Sequence, residues 1–392
     1  MVSAKVKSLR LPAKRILLLC AGILLGFLLA EGVLRWAGVS YPLPYMPDSH
    51  LGTRLQPGFE AWFHKEGHAL VRVNSAGFRD REHTQEKPPK TIRIAVLGDS
   101  YAEALQVSRD DTFWSVLERE LQACDTLQGQ TVEVLNFGVS GFGTAQELLV
   151  WRHFARGFEP DLVLVAMTTG NDVRNNSKSL EPVKVRPFFH LMRSGKLELD
   201  TSFQQHADYR KALSPWTQRK VRLINHSRVL QIVNEIKNNQ PAASSAKAGE
   251  VGLDDMVYFK PTDGSWRDAW TLTEAILMQL HRELNRDKSQ FVVATLTNGI
   301  QVHPNPEVRR EYQKRLGVED LLYPGRRILA LGEREGFPVI NLAEPMRKIA
   351  ESRQVYLHGF ENTVLGSGHW NKDGHQLAGR LLAERICRLL SK

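Results

Sequence analysis

The stretch that most constrains this chain is Ile92 to Ala104, which reads IRIAVLGDSYAEA. Alternating β-branched residues, Ile92, Ile94 and Val96, stop at Gly98-Asp99-Ser100, and small or helix-favouring residues follow. That pattern predicts a buried strand delivering a serine onto a tight turn at its carboxyl end. In open α/β sheets, this is the end where ligands bind. A nucleophilic serine needs a base, donors for an oxyanion and a pocket, so the rest of the chain must supply them.

From Thr91 onward strand and helix signals alternate. Strands are expected at Ile92–Leu97, Val132–Asn136, Leu162–Met167, Phe291–Thr295 and Val339–Asn341, several of them continuous apolar runs typical of parallel strands covered on both faces. Helices are expected at Thr112–Gln122, Ala145–Arg156, Thr271–Arg286, Arg326–Glu335 and Gly374–Leu390. The fold class that fits is α/β, a three-layer α/β/α domain on a doubly wound parallel sheet over residues 91–392. Residues 174–270 interrupt the alternation after the third strand. They form a mixed insertion with an amphipathic helix expected over Pro215 to Lys237 and a low-complexity surface loop from Asn238 to Gly252. Placed there, the insertion overhangs the same face as Ser100, as a lid or substrate-shaping element.

Residues 1–15 form a basic tail, and Ile16 to Ala30 is an unbroken apolar run that flanking residues extend to 16–39. Fifteen apolar residues fall short of the roughly 20 that span a bilayer. Arg35 snorkelling, with Trp36 and Tyr41 at the interface, completes the span. Five positive charges precede the run and one follows it, which places the amino terminus in the cytoplasm. No convincing small-residue cleavage site follows, so a retained signal anchor is preferred over a cleaved signal peptide. The expectation is a single-pass inner-membrane protein with a periplasmic catalytic domain, or a secreted one if the segment is cleaved. Residues 40–90, rich in Pro, Gly and polar residues, read as a lead-in that packs on the main domain. Two short strand-like pieces lie in it, Ala61–Phe63 and Leu70–Val73.

The net charge of +9 over 392 residues is uneven: residues 1–35 carry six basic side chains against Glu31 alone, a net of +5. No basic run interleaved with aromatics follows, so nucleic acid is not an expected partner. Of the three cysteines, Cys20 lies in the apolar run, which leaves at most one disulfide, between Cys124 and Cys387. No metal-ligand spacing occurs, and neither a metal nor a cofactor is called for.

Four short patterns fall at strand ends or at the start of the last helix: Gly98-Asp99-Ser100; Asn136 to Gly143 (NFGVSGFG); Thr168-Thr169-Gly170-Asn171-Asp172; and Gly368 to His375 (GHWNKDGH). Each alone has an ordinary structural reading. In this order, from Ile92 to the carboxyl terminus with the insertion excluded, they resemble the SGNH, or GDSL-type, hydrolase superfamily. The resemblance implies a flavodoxin-like sheet and an ester substrate attacked by Ser100. It also implies an oxyanion hole from the Ser100 N–H, the Gly138 N–H and the Asn171 side chain, with His369 as base. Asp99 and Asp172 are expected to order their turns, and Trp370 either stacks on a sugar or packs the domain. Asn175 and Asn176 are candidates for the pocket wall. No G-x-S-x-G surrounds any serine, which argues against an α/β-hydrolase.

The chain departs from the superfamily at the triad acid. The usual position, three residues before the histidine, is Gly366, and the next is Ser367. A backbone carbonyl or a remote acid such as Glu361 would then have to orient His369. A second registration, Asp373 with His375, would move the base into the helix. The expected function is a membrane-anchored serine esterase acting on lipid esters or acetylated envelope or exported glycans. Its rivals are a polysaccharide O-acyltransferase with the same machinery and a decayed glycan-binding or assembly protein.

Overall fold

A computed structural model describes residues 13–238 and 253–391. Its centre is a five-stranded parallel sheet built from Thr91–Gly98, Thr131–Asn136, Leu162–Met167, Gln290–Thr295 and Val339–Asn341. Numbered in chain order, the strands lie 2-1-3-4-5 across the sheet. The side-chain period of two sorts their residues onto two cores. Ala95, Leu97, Val163, Val165 and Val293 face helices 144–153, 264–286 and 323–335. Ile94, Val96, Leu164, Ala166 and Val292 face helices 113–122, 343–353 and 372–390. Both faces are covered, which is why the strands read as unbroken apolar runs. The expected doubly wound α/β/α architecture is the one observed. The chain's one disulfide among the described residues, Cys124–Cys387, ties the segment after helix 113–122 to the last helix.

Several boundaries move, each for a local reason. The helix expected from Thr271 begins at Gly264, because Asp263 accepts the N–H groups of Ser265 and Trp266 and because Trp266 and Trp270 are buried core residues. The insertion therefore ends before residue 270. The single helix expected over 215–237 is two, Pro215–His226 and Arg228–Asn238, with Ser227 extended between them. Helices at Pro306–Leu316 and Ala343–Arg353 go beyond those the sequence pattern predicts. Most of the basic tail and residues 239–252 of the low-complexity stretch lie outside the described residues.

An amino-terminal helix, Ala13–Trp36, is long and apolar enough to cross a bilayer. It runs past the apolar stretch, and near its end Glu31 caps the second insertion helix. The Glu31 carboxylate accepts the N–H groups of Arg228 and Val229 and the Ser227 hydroxyl, at 2.9, 3.1 and 2.9 Å. The lead-in then forms two hairpins, 45–48 with 52–55 and 60–63 with 69–72. At the tip of the second, Gly67 has φ +66° and lies so close to Gln106 that a Cβ would sit 2.3 Å from its carbonyl oxygen. Only glycine lets this tip seat against the main domain.

Candidate active site

The strand order reverses between the first and third strands, so the crevice at their carboxyl ends is the topological switch point of the sheet. Ser100 leaves the first strand there and Asn171 follows the third. Gly98 is needed at the exit because a Cβ would lie 2.9 Å from that of Ala102. Asp99, fully buried, caps the short helix Ser100–Glu103 by accepting the Tyr101 N–H at 3.0 Å. Its carboxylate also accepts the Thr168 hydroxyl at 3.1 Å and the Asn171 Nδ2 at 3.2 Å, joining the two loops of the crevice. Asp172 accepts the Thr168 N–H at 2.9 Å, so both aspartates order turns.

The lead-in braces this turn. Arg79, buried, donates to the carbonyls of Glu103 and Ala104 at the end of the Ser100 helix. Asp80 accepts the Asn136 N–H at 2.8 Å, and the Asn136 side chain donates to the Arg79 carbonyl and accepts the Gly138 N–H at 3.0 Å. Gly138 touches the helix Ser100–Glu103 so closely that a Cβ would sit 2.4 Å from that of Ala102. Its N–H is thus already engaged by Asn136. The Ser100 N–H heads a helix, where no intrahelical carbonyl accepts it. Asn171 has a second amide hydrogen beyond the one given to Asp99.

His369 sits on the loop before the last helix, with its Nε2 2.8 Å from Ser100 Oγ. Its Nδ1 lies 2.5 Å from Oε2 of Glu66, whose Oε1 accepts the His369 backbone N–H at 2.8 Å. Glu66 comes from the tip of the second lead-in hairpin, 303 residues away. A carboxylate at Nδ1 places the imidazole proton there and leaves Nε2 to accept from the Ser100 hydroxyl. Burial pushes the Glu66 carboxyl up, but the hydrogen bond and charge of His369 outweigh it and hold the group below its ordinary value. The hairpin is fastened on both sides. Asn362 accepts the Gly67 N–H and donates to the His64 carbonyl, and Lys65 pairs with Glu235 of the second insertion helix at 2.8 Å.

Of the suggested orienting groups, it is a remote acid that stands beside His369, but it is Glu66 and not Glu361. Glu361 is exposed in a turn of the same loop. Gly366 has φ +83° and a Cβ there would lie 2.9 Å from the His303 ring, so the usual acid position is closed to any acidic side chain. Ser367 only closes a turn onto Val364. His375 is buried, accepts the Phe113 N–H at 3.2 Å and is pushed well below its ordinary pKa by burial, so the second registration does not form a site.

Trp370 is fully buried and cannot stack on a sugar. Its indole N–H donates to Thr297 Oγ1 at 2.8 Å, Thr297 contacts His358 Nε2 at 3.0 Å, and His358 Nδ1 donates to the Gly368 carbonyl at 2.7 Å. Burial lowers the His358 pKa to about 4, so the chain of contacts is neutral and holds the loop that carries His369. Asn176 is likewise structural, bonded to Thr144, Thr273 and the Ala145 N–H, and Asn175 is bonded to Glu181.

Several carboxyls near the Ser100 turn are buried, and the nearby charges of Arg79 and Arg186 do not offset the cost. Burial pushes Asp99, Glu147 and Asp172 upward, and their mutual charge adds to the last two. Glu103, which accepts hydrogen bonds from Tyr45 and Ser140, is raised by burial to about 7. A carboxyl raised on folding holds its proton more tightly in the native state. Stability therefore falls as pH rises from the ordinary value, 4.5, to about 7. Glu103→Gln is expected to raise the unfolding midpoint at pH 8, by up to about 3 kcal/mol of stability, and to leave it unchanged near pH 5. Thermal melts of both proteins at the two pH values check this; equal shifts at both would sink it.

No family model and no curated protein matches the sequence. Among solved structures, a catalytic mutant of an acetylxylan esterase from Geobacillus stearothermophilus is similar at 14% identity over 75% of this chain and 94% of that one, with a TM-score of 0.38. A GDSL-like lipase from Bacteroides thetaiotaomicron is similar at 12% identity over 78% and 93%, with a TM-score of 0.33. At these scores the likeness adds no weight to what the sheet order and the site geometry carry by themselves.

Proposed function

We propose that this chain is a membrane-anchored serine hydrolase of SGNH type that cleaves carboxylic esters through an acyl-enzyme on Ser100. The observation that carries the reading is the continuous contact Glu66–His369–Ser100 at the switch point of a parallel sheet. Ser100 Oγ attacks the ester carbonyl while its proton passes to His369 Nε2, and Glu66 stabilises the imidazolium at Nδ1. Negative charge on the former carbonyl oxygen is met by the Ser100 N–H and the Asn171 amide; Gly138 joins them only by sharing the N–H it gives Asn136. His369 then protonates the leaving alcohol. Water, deprotonated by the same nitrogen, attacks the acyl group, and the carboxylic acid and Ser100 are released.

With the amino-terminal helix in the inner membrane and the domain outside the cytoplasm, O-acetyl esters of envelope or exported glycans are the substrates within reach. The same machinery would serve an acyltransferase if a glycan hydroxyl replaced the water. Acetate release from p-nitrophenyl acetate and acetylated xylan, measured with and without unacetylated acceptor glycan, separates the two. A hydrolase releases acetate in step with ester consumed whether or not acceptor is present. Acetylated acceptor appearing at the expense of acetate would overturn hydrolysis in favour of transfer.

A further inference from the structure

The insertion helices carry a surface that the chemistry does not use. From Ala207 to Asn238 there are seven basic residues, Arg210, Lys211, Arg219, Lys220, Arg222, Arg228 and Lys237, against Asp208 and Glu235, a net of +5. With the +5 of residues 1–35, this exceeds the +9 of the whole chain, so everything else is close to neutral. On helix 215–226, Trp216, Arg219, Lys220 and Leu223 follow the i, i+3, i+4, i+7 spacing of one face and are all exposed. Trp216 is 77% and Leu223 64% accessible. Helix 228–238 has a second exposed pair, Val233 and Ile236. They lie opposite Gln231 and Glu235, which bond Tyr41 and Lys65 of the lead-in.

The position of these helices relative to the amino-terminal helix names the occupant. Glu31, the residue that ends the apolar run, caps helix 228–238, and Arg35 donates to the His226 carbonyl at 2.7 Å, at the end of helix 215–226. If the apolar run fills the hydrocarbon, the junction of the two insertion helices is held at the level of the headgroups. We propose that the exposed faces of helices 215–226 and 228–238 lie on the bilayer that the amino-terminal helix spans, with Trp216, Leu223, Val233 and Ile236 at the interface and the basic residues on anionic headgroups. The inference rests on the membrane-anchored reading. It adds a second, lateral contact that fixes how the catalytic domain is oriented over the membrane.

The test uses the full chain, with Cys20→Ser and the disulfide intact, reconstituted in phosphatidylcholine vesicles with or without about one third phosphatidylglycerol. Single cysteines at Leu223→Cys and Ile236→Cys carry an environment-sensitive fluorophore, read by quenching from nitroxide-labelled lipid. Leu25→Cys reports the anchor. Glu384→Cys is the aqueous reference, because it is exposed on the last helix about three turns beyond the histidine loop. The expected result is lipid quenching at 223 and 236 at least about twofold above that at 384, strengthened by phosphatidylglycerol and lowered by R219Q/K220Q/R222Q. Quenching at 25 with 223 and 236 equal to 384 overturns the proposal and leaves the anchor standing. Absence of quenching at 25 overturns both. Shielding of 223 and 236 from aqueous iodide without lipid quenching assigns the face to a protein partner or a second copy, and also overturns it.

Discussion

Glu66→Gln is expected to lower kcat/KM for ester hydrolysis by about 10³- to 10⁴-fold while leaving the fold intact. Glutamine keeps the size of the side chain but offers an amide where Nδ1–H and the backbone N–H of His369 both need an acceptor. The imidazolium formed during attack loses its countercharge, and the tautomer that leaves Nε2 free to take the Ser100 proton is no longer selected. Because Glu66 is held below its ordinary pKa, it is already a carboxylate throughout the neutral range. Its loss is therefore not recovered by raising the pH. Glu361→Gln, on an exposed turn of the same loop, is expected to change the rate by less than about twofold, since surface substitutions away from special features are nearly neutral. If Glu66→Gln retained activity and Glu361→Gln lost it, the assignment of the acid would be wrong.

Ser100→Ala is expected to reduce hydrolysis by roughly 10⁴- to 10⁶-fold and to abolish labelling by a fluorophosphonate probe. The Ser100 hydroxyl contacts His369, while the turn around it is held by Asp99, Gly98 and Arg79. Removing one oxygen therefore leaves the thermal midpoint unchanged and isolates the chemistry from the fold. Wild-type protein that is folded, binds glycan and yet takes no fluorophosphonate would make this a binding protein with a hydrolase-like site. Labelling that survives in Ser100→Ala would place the nucleophile elsewhere.

What the sequence could and could not reveal follows from the range of each interaction. The five parallel strands, the serine turn, the Asn171 turn and the histidine loop were all legible, because periodicity, glycine punctuation and capping residues act within a few positions of each other. Their order along the chain also carried the sheet, since a parallel strand needs a crossover and the crossovers read as helices. The end of the helix at His226 was not legible, because the carboxylate that caps its successor lies 196 residues earlier, on Glu31. Nor was the burial of Trp370, whose partner Thr297 is 73 residues away.

The carboxylate beside His369 is the sharpest case. Local sequence showed only that Gly366 could not be it, and a hairpin tip reading His64-Lys65-Glu66-Gly67-His68 carries no motif that points to His369. Sequence alone therefore determined the sheet and the turn that presents Ser100, and it singled out Ser100 and His369 as candidates. Only the tertiary structure decided that Glu66 stands beside His369, because the contact exists by virtue of Gly67 seating a distant hairpin against the main domain and Asn362 pinning it beside the histidine loop.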